Sequence, residues 1–304
     1  SFRGFASRGG ETDIHSHGFG VAFYEGRGLR CFHDSQPAAE SPIASFLTKY
    51  PIKSLNMMAH IRYATQGTVS LANVHPFQRE MWGIQWCFAH NGDVPLFKNG
   101  IAHISKFQEE ERFHPVGDTD SEALFCSLLN ALHTKFETLP SLPVLHDTLS
   151  GLCAGIVEKD TEEIIMNFLL TCGPHVQFVY SWPGARPGSK VWNGLYYTVR
   201  EPPFKAAHLS DVEYTVDFAD VTTENDRVAV IATKPLTDDE TWVEFERGEM
   251  IMFDQGLPHL SAEACFSAEL RGHGLESKVI PPPKIEEDLK RYHVEADMFA
   301  GLDI

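Results

Sequence analysis

Three short stretches carry side chains whose chemistry exceeds what packing asks of them. In His60-Ile61-Arg62-Tyr63-Ala64-Thr65-Gln66-Gly67 an apolar run ends in an arginine, whose planar fork of five donors can hold a carboxylate by two bonds at once. In Cys87-Phe88-Ala89-His90-Asn91-Gly92-Asp93 a second apolar run ends in an amide side chain beside a glycine. An amide donor next to a backbone N–H that can be approached closely is what an oxyanion hole requires. The third stretch is Gly117-Asp118-Thr119-Asp120-Ser121-Glu122. Thr119 and Glu122 fit the Ser/Thr-x-x-Glu capping pattern, so a helix is expected to start at Asp120, where the helix dipole favours a charged carboxylate.

Each piece has a plainer reading. An arginine after a strand is usually a solvated charge, Asn-Gly is the commonest hairpin turn, and Asp120 is a good first-turn residue whatever it binds. Set side by side, a fork for a carboxylate, a counter-ion for an ammonium and an oxyanion hole describe a pocket for an amino acid. The α-carboxylate would meet Arg62, the α-amine Asp120, and a side-chain carbonyl Asn91 and Gly92. Glutamine, or any γ-glutamyl amide, fits that arrangement.

The segments H-I-R-Y-A-T-Q-G…N-V-H-P-F (60–77), F-A-H-N-G (88–92) and D-T-D-S-E (118–122) resemble, in order and spacing, the class II glutamine amidotransferases, which are N-terminal-nucleophile hydrolases. R-G-G…H-G-F-G-V-A-F (8–23) is similar to the segment preceding them. V-A-V-I-A-T-K-P-L-T-D-D-E-T-W (228–242) resembles a stand-alone subgroup related to the fungal glutathione-degrading amidohydrolase and the γ-glutamyl hydrolase of ergothioneine synthesis. The resemblance implies an α+β fold of four layers, αββα, with two stacked, mostly antiparallel sheets between helices. It implies that Arg62 binds the substrate carboxylate with Tyr63 and Thr65 lining the same turn, that Asn91 and Gly92 form the oxyanion hole, and that Asp120 holds the α-amine. His75 and His90 match family positions as supports of loop geometry. The family's nucleophile is a cysteine at the mature N terminus. None of Cys31, Cys87, Cys126, Cys153, Cys172 or Cys265 occupies that position. The resemblance thus implies a catalytic cysteine ahead of Ser1, on a strand that precedes this sequence.

The elements that must position these groups follow from periodicity. Leu124, Leu128, Leu132 and Phe136, with Leu129, form an apolar stripe behind Asp120, and Leu145, Leu149, Leu152 and Ile156 form another on a helix over 144–159. Strands are expected at 55–61 and 82–89 before the site, and at 164–171, 176–182, 195–199, 214–218 and 227–233 after the helices, where β-branched and aromatic residues concentrate. Residues 18–24 and 29–32 form a hairpin, as do 242–245 and 250–254 around Arg247-Gly248. Residues 37–50 form a short helix with Ile43, Phe46 and Leu47 inward. P-G-A-R-P-G-S-K (183–190) is a long loop within a hairpin, and the polar 93–117 segment is an exposed cover for the pocket. Residues 1–275 make the amidotransferase-like domain, and 276–304 a linker around Pro281-Pro282-Pro283 with a short helix.

Composition narrows the classes. The chain has 304 residues, 25 basic and 42 acidic, a net charge of −17 that argues against nucleic acid and anionic membrane as partners. No apolar run approaches membrane-spanning length, and six scattered cysteines without CxxC pairs suggest free thiols in the cytoplasm. His15-x-His17 could ligate a metal but has no second pair at ligand spacing, and G-F-G is too short for a dinucleotide loop, so neither metal nor cofactor is expected. The expected partner is a small γ-glutamyl substrate; transfer of ammonia onward would need a separate acceptor or peptidase subunit. Two other readings stay open: a binding or scaffold subunit that kept the pocket without turnover, and a metal hydrolase in which the pocket is coincidental.

Overall fold

The computed structural model describes residues 16–64, 67–98, 111–159, 164–204, 207–208, 215–216, 223–224 and 226–260. Thr65, the Glu109-Glu110 part of the acidic run, Cys265 and everything expected beyond 260 lie outside them. In chain order the elements are β1 (Phe19–Glu25), β2 (Gly28–Asp34), α1 (Pro42–Leu47), β3 (Met57–Ile61), β4 (Phe77–Met81), β5 (Ile84–Asp93), α2 (Asp120–Lys135), α3 (Leu142–Lys159), β6 (Ile165–Cys172) and β7 (Val176–Trp182). Then follow β8 (Gly184–Ala185), β9 (Trp192–Asn193), β10 (Tyr196–Arg200), β11 (Ala207–His208), β12 (Thr215–Val216), β13 (Val228–Ala232), β14 (Val243–Glu244), β15 (Glu249–Asp254) and β16 (Leu257–Leu260).

The largest sheet is antiparallel with order β16-β15-β7-β6-β5-β4. Because successive side chains on a strand point to opposite faces, each of its strands serves two cores. Trp86 and Phe88 of β5, Met166, Phe168 and Leu170 of β6, and Phe178 and Tyr180 of β7 meet the apolar faces of α2 and α3. Phe88 stacks on Phe125 of α2 with ring centroids 5.1 Å apart, within the range where aromatic pairs add to simple burial. On the opposite face, the small residues Cys87 and Ala89 let a second sheet, β2-β1-β3, approach through Ala22 and Met58. Beside it Val179, Ile251 and Phe253 pack on Leu195, Tyr197 and Phe245 near the β13-β10-β14 sheet. The outer side of β1, with Phe19, Val21 and Phe23, is covered by Ala44 and Leu47 of α1. Helices, sheet, sheet, helix: the four-layer αββα arrangement is present.

Several boundaries differ from expectation for physical reasons. Trp82 and Gly83 have positive φ (60° and 72°) and form the β4–β5 turn, so β5 starts later than expected and runs through His90, Asn91 and Gly92 instead of ending before them. β14 pairs with β10 while β15 pairs with β7, so the expected 242–254 hairpin is divided between two sheets, and β15 turns instead into β16, which the weak pattern beyond Gly256 did not reveal. Phe46 is 50% exposed, because the short α1 buries Ala44 and Leu47 instead. The ends of the 93–117 segment are not an exposed cover: Val94, Phe97 and Phe113 are buried in the main core.

Candidate active site

The site assembles where β5 leaves the large sheet. In the β5–β6 ladder Asn91 stands opposite Asn167 and Gly92 opposite Met166. A side chain at position 92 is excluded, because a Cβ there would overlap the carbonyl oxygen of Ile165 and lie 2.5 Å from Nε2 of His90. The Gly92 backbone is therefore pressed against β6 in a way only glycine allows. The Asn91 side chain is half-buried, and its amide makes no hydrogen bond among the described residues, as suits a donor kept for a ligand.

Asp120 reaches the same strand end from α2. Thr119 caps the helix by accepting from the Glu122 N–H at 3.2 Å. Asp120, 6% exposed, accepts at Oδ2 from the Val94 N–H (2.8 Å) and at Oδ1 from the Ser121 N–H (2.8 Å). These bonds fasten the helix N terminus to the chain just past Gly92 and leave the carboxylate lone pairs to spare. Glu122 does not return to close the capping box. It accepts instead from the Val116 and Gly117 N–H groups (3.0 and 2.7 Å) and pairs with Arg79 at 2.6 Å, fixing the 111–118 loop.

Arg62 follows β3, in register with β1, and its backbone bonds on both sides to Gly18 and His17. Its guanidinium is buried, donates from Nη1 to the Thr68 carbonyl (3.0 Å) and lies in the field of Asp118. Asp118 is clasped by Asn73: the Asp118 N–H donates to Asn73 Oδ1 (2.9 Å), and Asn73 Nδ2 donates to the Asp118 carboxylate. That clasp joins the Arg62 loop to the α2 entry, bringing the carboxylate fork and Asp120 into one structure. Tyr63, 43% exposed, lies at the rim with its ring 5.4 Å from that of His17. His17 accepts from the Ala64 N–H at Nδ1 (3.0 Å), a loop-holding role.

His75 and His90 are both buried. The His75 ring packs between the tilted rings of His60 (4.3 Å) and Phe77 (4.5 Å), and its carbonyl rests against Gly20 of β1. Burial pushes His75 well below the ordinary imidazole range, and the neighbouring imidazoles act in the same direction. His90 bonds Ser121 Oγ through Nδ1 (2.8 Å), and burial lowers it too, opposed by Asp120. Both are neutral packing histidines at physiological pH.

Two contributors escaped the sequence reading. Asn167, 1% exposed, donates from Nδ2 to the Asn91 carbonyl (3.2 Å) and accepts from Ser181 Oγ (2.8 Å). It thereby polarises the peptide unit whose N–H belongs to Gly92. The only available signal was a lone amide within the apolar run Ile165–Cys172. Arg186, in the segment read as a loop, donates from Nη2 to the Gly92 carbonyl (3.3 Å).

The described cysteines are poor nucleophiles. Burial raises Cys31 and Cys126 to about 11 and holds Cys87, Cys153 and Cys172 well above the ordinary thiol range. Among the described residues no three His, Cys, Asp or Glu side chains gather as a metal site requires, and no helix is long and apolar enough to cross a membrane.

A family model described as "Glutamine amidotransferases class-II" matches residues 1–273. The Escherichia coli protein YafJ is 40% identical over 256 residues, which cover 84% of this chain and 92% of YafJ. The Saccharomyces cerevisiae protein DUG3 is 32% identical over 269 residues, covering 78% of this chain and 66% of DUG3. Both carry glutamine amidotransferase as a provisional name. A crystal structure of a predicted glutamine amidotransferase from Pseudomonas aeruginosa superposes with a TM-score of 0.61 at 36% identity, covering 84% of this chain and 91% of that one. The chain belongs to the class II glutamine amidotransferases, enzymes that act on the C–N bond of an amide.

Proposed function

We propose that this protein hydrolyses the γ-amide of glutamine or of a γ-glutamyl compound through a γ-glutamyl thioester. The observation that carries the reading is the convergence at the end of β5. There an unengaged Asn91 amide and the glycine-only Gly92 backbone lie beside a carboxylate, Asp120, hung from the Val94 N–H. Arg62 binds the α-carboxylate and Asp120 the α-amine, which leaves the γ-carbonyl at Asn91 and Gly92. Tyr63 lines the carboxylate side, and the family resemblance gives Thr65 the same role.

In this reading the nucleophile is an N-terminal cysteine, as the family resemblance implies. Its sulfur adds to the carbonyl carbon of the γ-amide while the α-amine of the same cysteine takes the thiol proton. Negative charge collects on the carbonyl oxygen, where the Asn91 amide and the Gly92 N–H stabilise it. The C–N bond then breaks, the proton passes to the leaving amine, and a γ-glutamyl thioester remains. Water, deprotonated by the same amine, cleaves the C–S bond to give glutamate and the free thiol. Transfer of released ammonia to an acceptor would require a partner chain; hydrolysis requires none.

The test is amine release from glutamine and γ-glutamyl amides by the full-length protein, with Asn91→Ala as comparison. Loss of one oxyanion donor lowers kcat by roughly 10²–10³ while the far-ultraviolet spectrum and glutamate binding are retained. Glutamate binding without amine release from any of these amides would instead make the chain a binding subunit.

A further inference from the structure

The β8–β9 hairpin places a cation beside the oxyanion donors. Arg186 is half-buried; its Nη2 meets the Gly92 carbonyl at 3.3 Å, and its Nε is buried without a hydrogen-bond partner among the described residues. The hairpin holding it is hydrogen-bonded within itself and to the site strand. The Ser189 N–H bonds the Arg186 carbonyl (2.9 Å), and Asn193 donates from Nδ2 to the Gly184 carbonyl (3.4 Å). Asn167 ties the hairpin to the site strand by donating to the Asn193 and Asn91 carbonyls, each at 3.2 Å. A Cβ on Gly184 would stand 3.0 Å from Ile165, so that strand lies flat on the start of β6.

Holding a carbonyl needs only a neutral donor, so a guanidinium with a vacant, desolvated donor is more than a brace. The titratable groups that interact with it through the shared strand end are Asp93 and His90. Asp93 has a partner of its own in Lys98 at 3.7 Å, and His90 is kept neutral by burial. The groups for the glutamyl end of the substrate come from the Arg62 loop and from α2. Arg186 comes from neither, and bonds the carbonyl of Gly92, the residue whose N–H is the proposed oxyanion donor. A leaving ammonia gains nothing from a cation there, whereas a leaving group bearing a carboxylate does.

We propose that Arg186 is a specificity-determining residue that binds a carboxylate on the leaving group, so that the site favours γ-glutamyl amino acids and peptides over neutral γ-glutamyl amides. This rests on the γ-glutamyl amidohydrolase reading above and narrows its substrate class. The experiment compares kcat/KM of the full-length enzyme for γ-glutamylglycine and for its neutral isostere γ-glutamylglycinamide. Taking the ratio cancels any effect of Arg186 on the oxyanion hole itself. Wild type favours the anionic substrate by about tenfold, the lower end for a charge-assisted hydrogen bond at a partly exposed cation. Arg186→Gln brings the ratio close to one, and Arg186→Lys restores part of it. Equal cleavage of the two substrates by wild type, or an unchanged ratio in Arg186→Gln, overturns the inference while leaving the hydrolase reading intact. Failure to cleave either substrate and glutamine as well overturns both.

Discussion

Asp120→Asn separates the structural and substrate roles of one carboxylate. In the folded chain Asp120 accepts from two backbone N–H groups, of Val94 and Ser121, and sits in the first turn of α2. Asparagine keeps one acceptor oxygen, so one of those donors faces an NH2 group instead. Loss of a hydrogen bond to a charged acceptor costs about 1.5–3 kcal/mol, and loss of the charge at the helix N terminus adds about 0.3–1 kcal/mol. Urea denaturation should therefore show a loss of roughly 2–4 kcal/mol. The kinetic effect is distinct. If the carboxylate holds the α-amine, kcat/KM for glutamine falls by roughly 10²-fold, mostly through KM. For glutaramic acid, which lacks the α-amine, wild type and variant then turn over alike. Equal losses on the two substrates would refute the assignment and make Asp120 a purely structural residue.

Two further outcomes check the fold beneath the site. Gly20→Ala would drive a Cβ into the His75 carbonyl and to 2.5 Å from the His33 ring, and should cost about 2–4 kcal/mol by urea denaturation. Burial raises Glu249 from 4.5 to about 7, so the folded chain keeps a proton that the unfolded chain releases. That contribution to stability is complete below about pH 4.5 and is lost as the pH rises through 7. Glu249→Gln should accordingly flatten the decline in stability between pH 5 and 8, measured by urea titrations at each pH.

Local chemistry made much of this legible. Thr119 announces the start of α2, and the spacing of Leu124, Leu128, Leu129 and Leu132 announces the buried face. What was hidden depends on partners distant in sequence. Glu122 suits a capping box, yet its carboxylate is drawn to Arg79 and the Val116 and Gly117 amides, which no local pattern reveals. Strand β5 continues through His90-Asn91-Gly92 because β6 pairs with those residues to Asp93, overriding the turn propensity of Asn-Gly. Val243 and Met250 have hairpin-like spacing but find different sheets, since the four-layer stack offers each a better partner. Asn167 and Arg186 become functional candidates only when β6 and the β8–β9 hairpin lie beside Asn91 and Gly92.

The most direct measurement is the mass of the denatured full-length protein after exposure to a glutamine analogue with an electrophilic diazoketone in place of the amide, followed by peptide mapping. The account predicts one adduct, on an N-terminal cysteine, formed far more slowly in Arg62→Ala. It also predicts unmodified thiols at Cys31, Cys87, Cys126, Cys153 and Cys172, which burial keeps protonated. No adduct, or an adduct on one of those five cysteines, would contradict it.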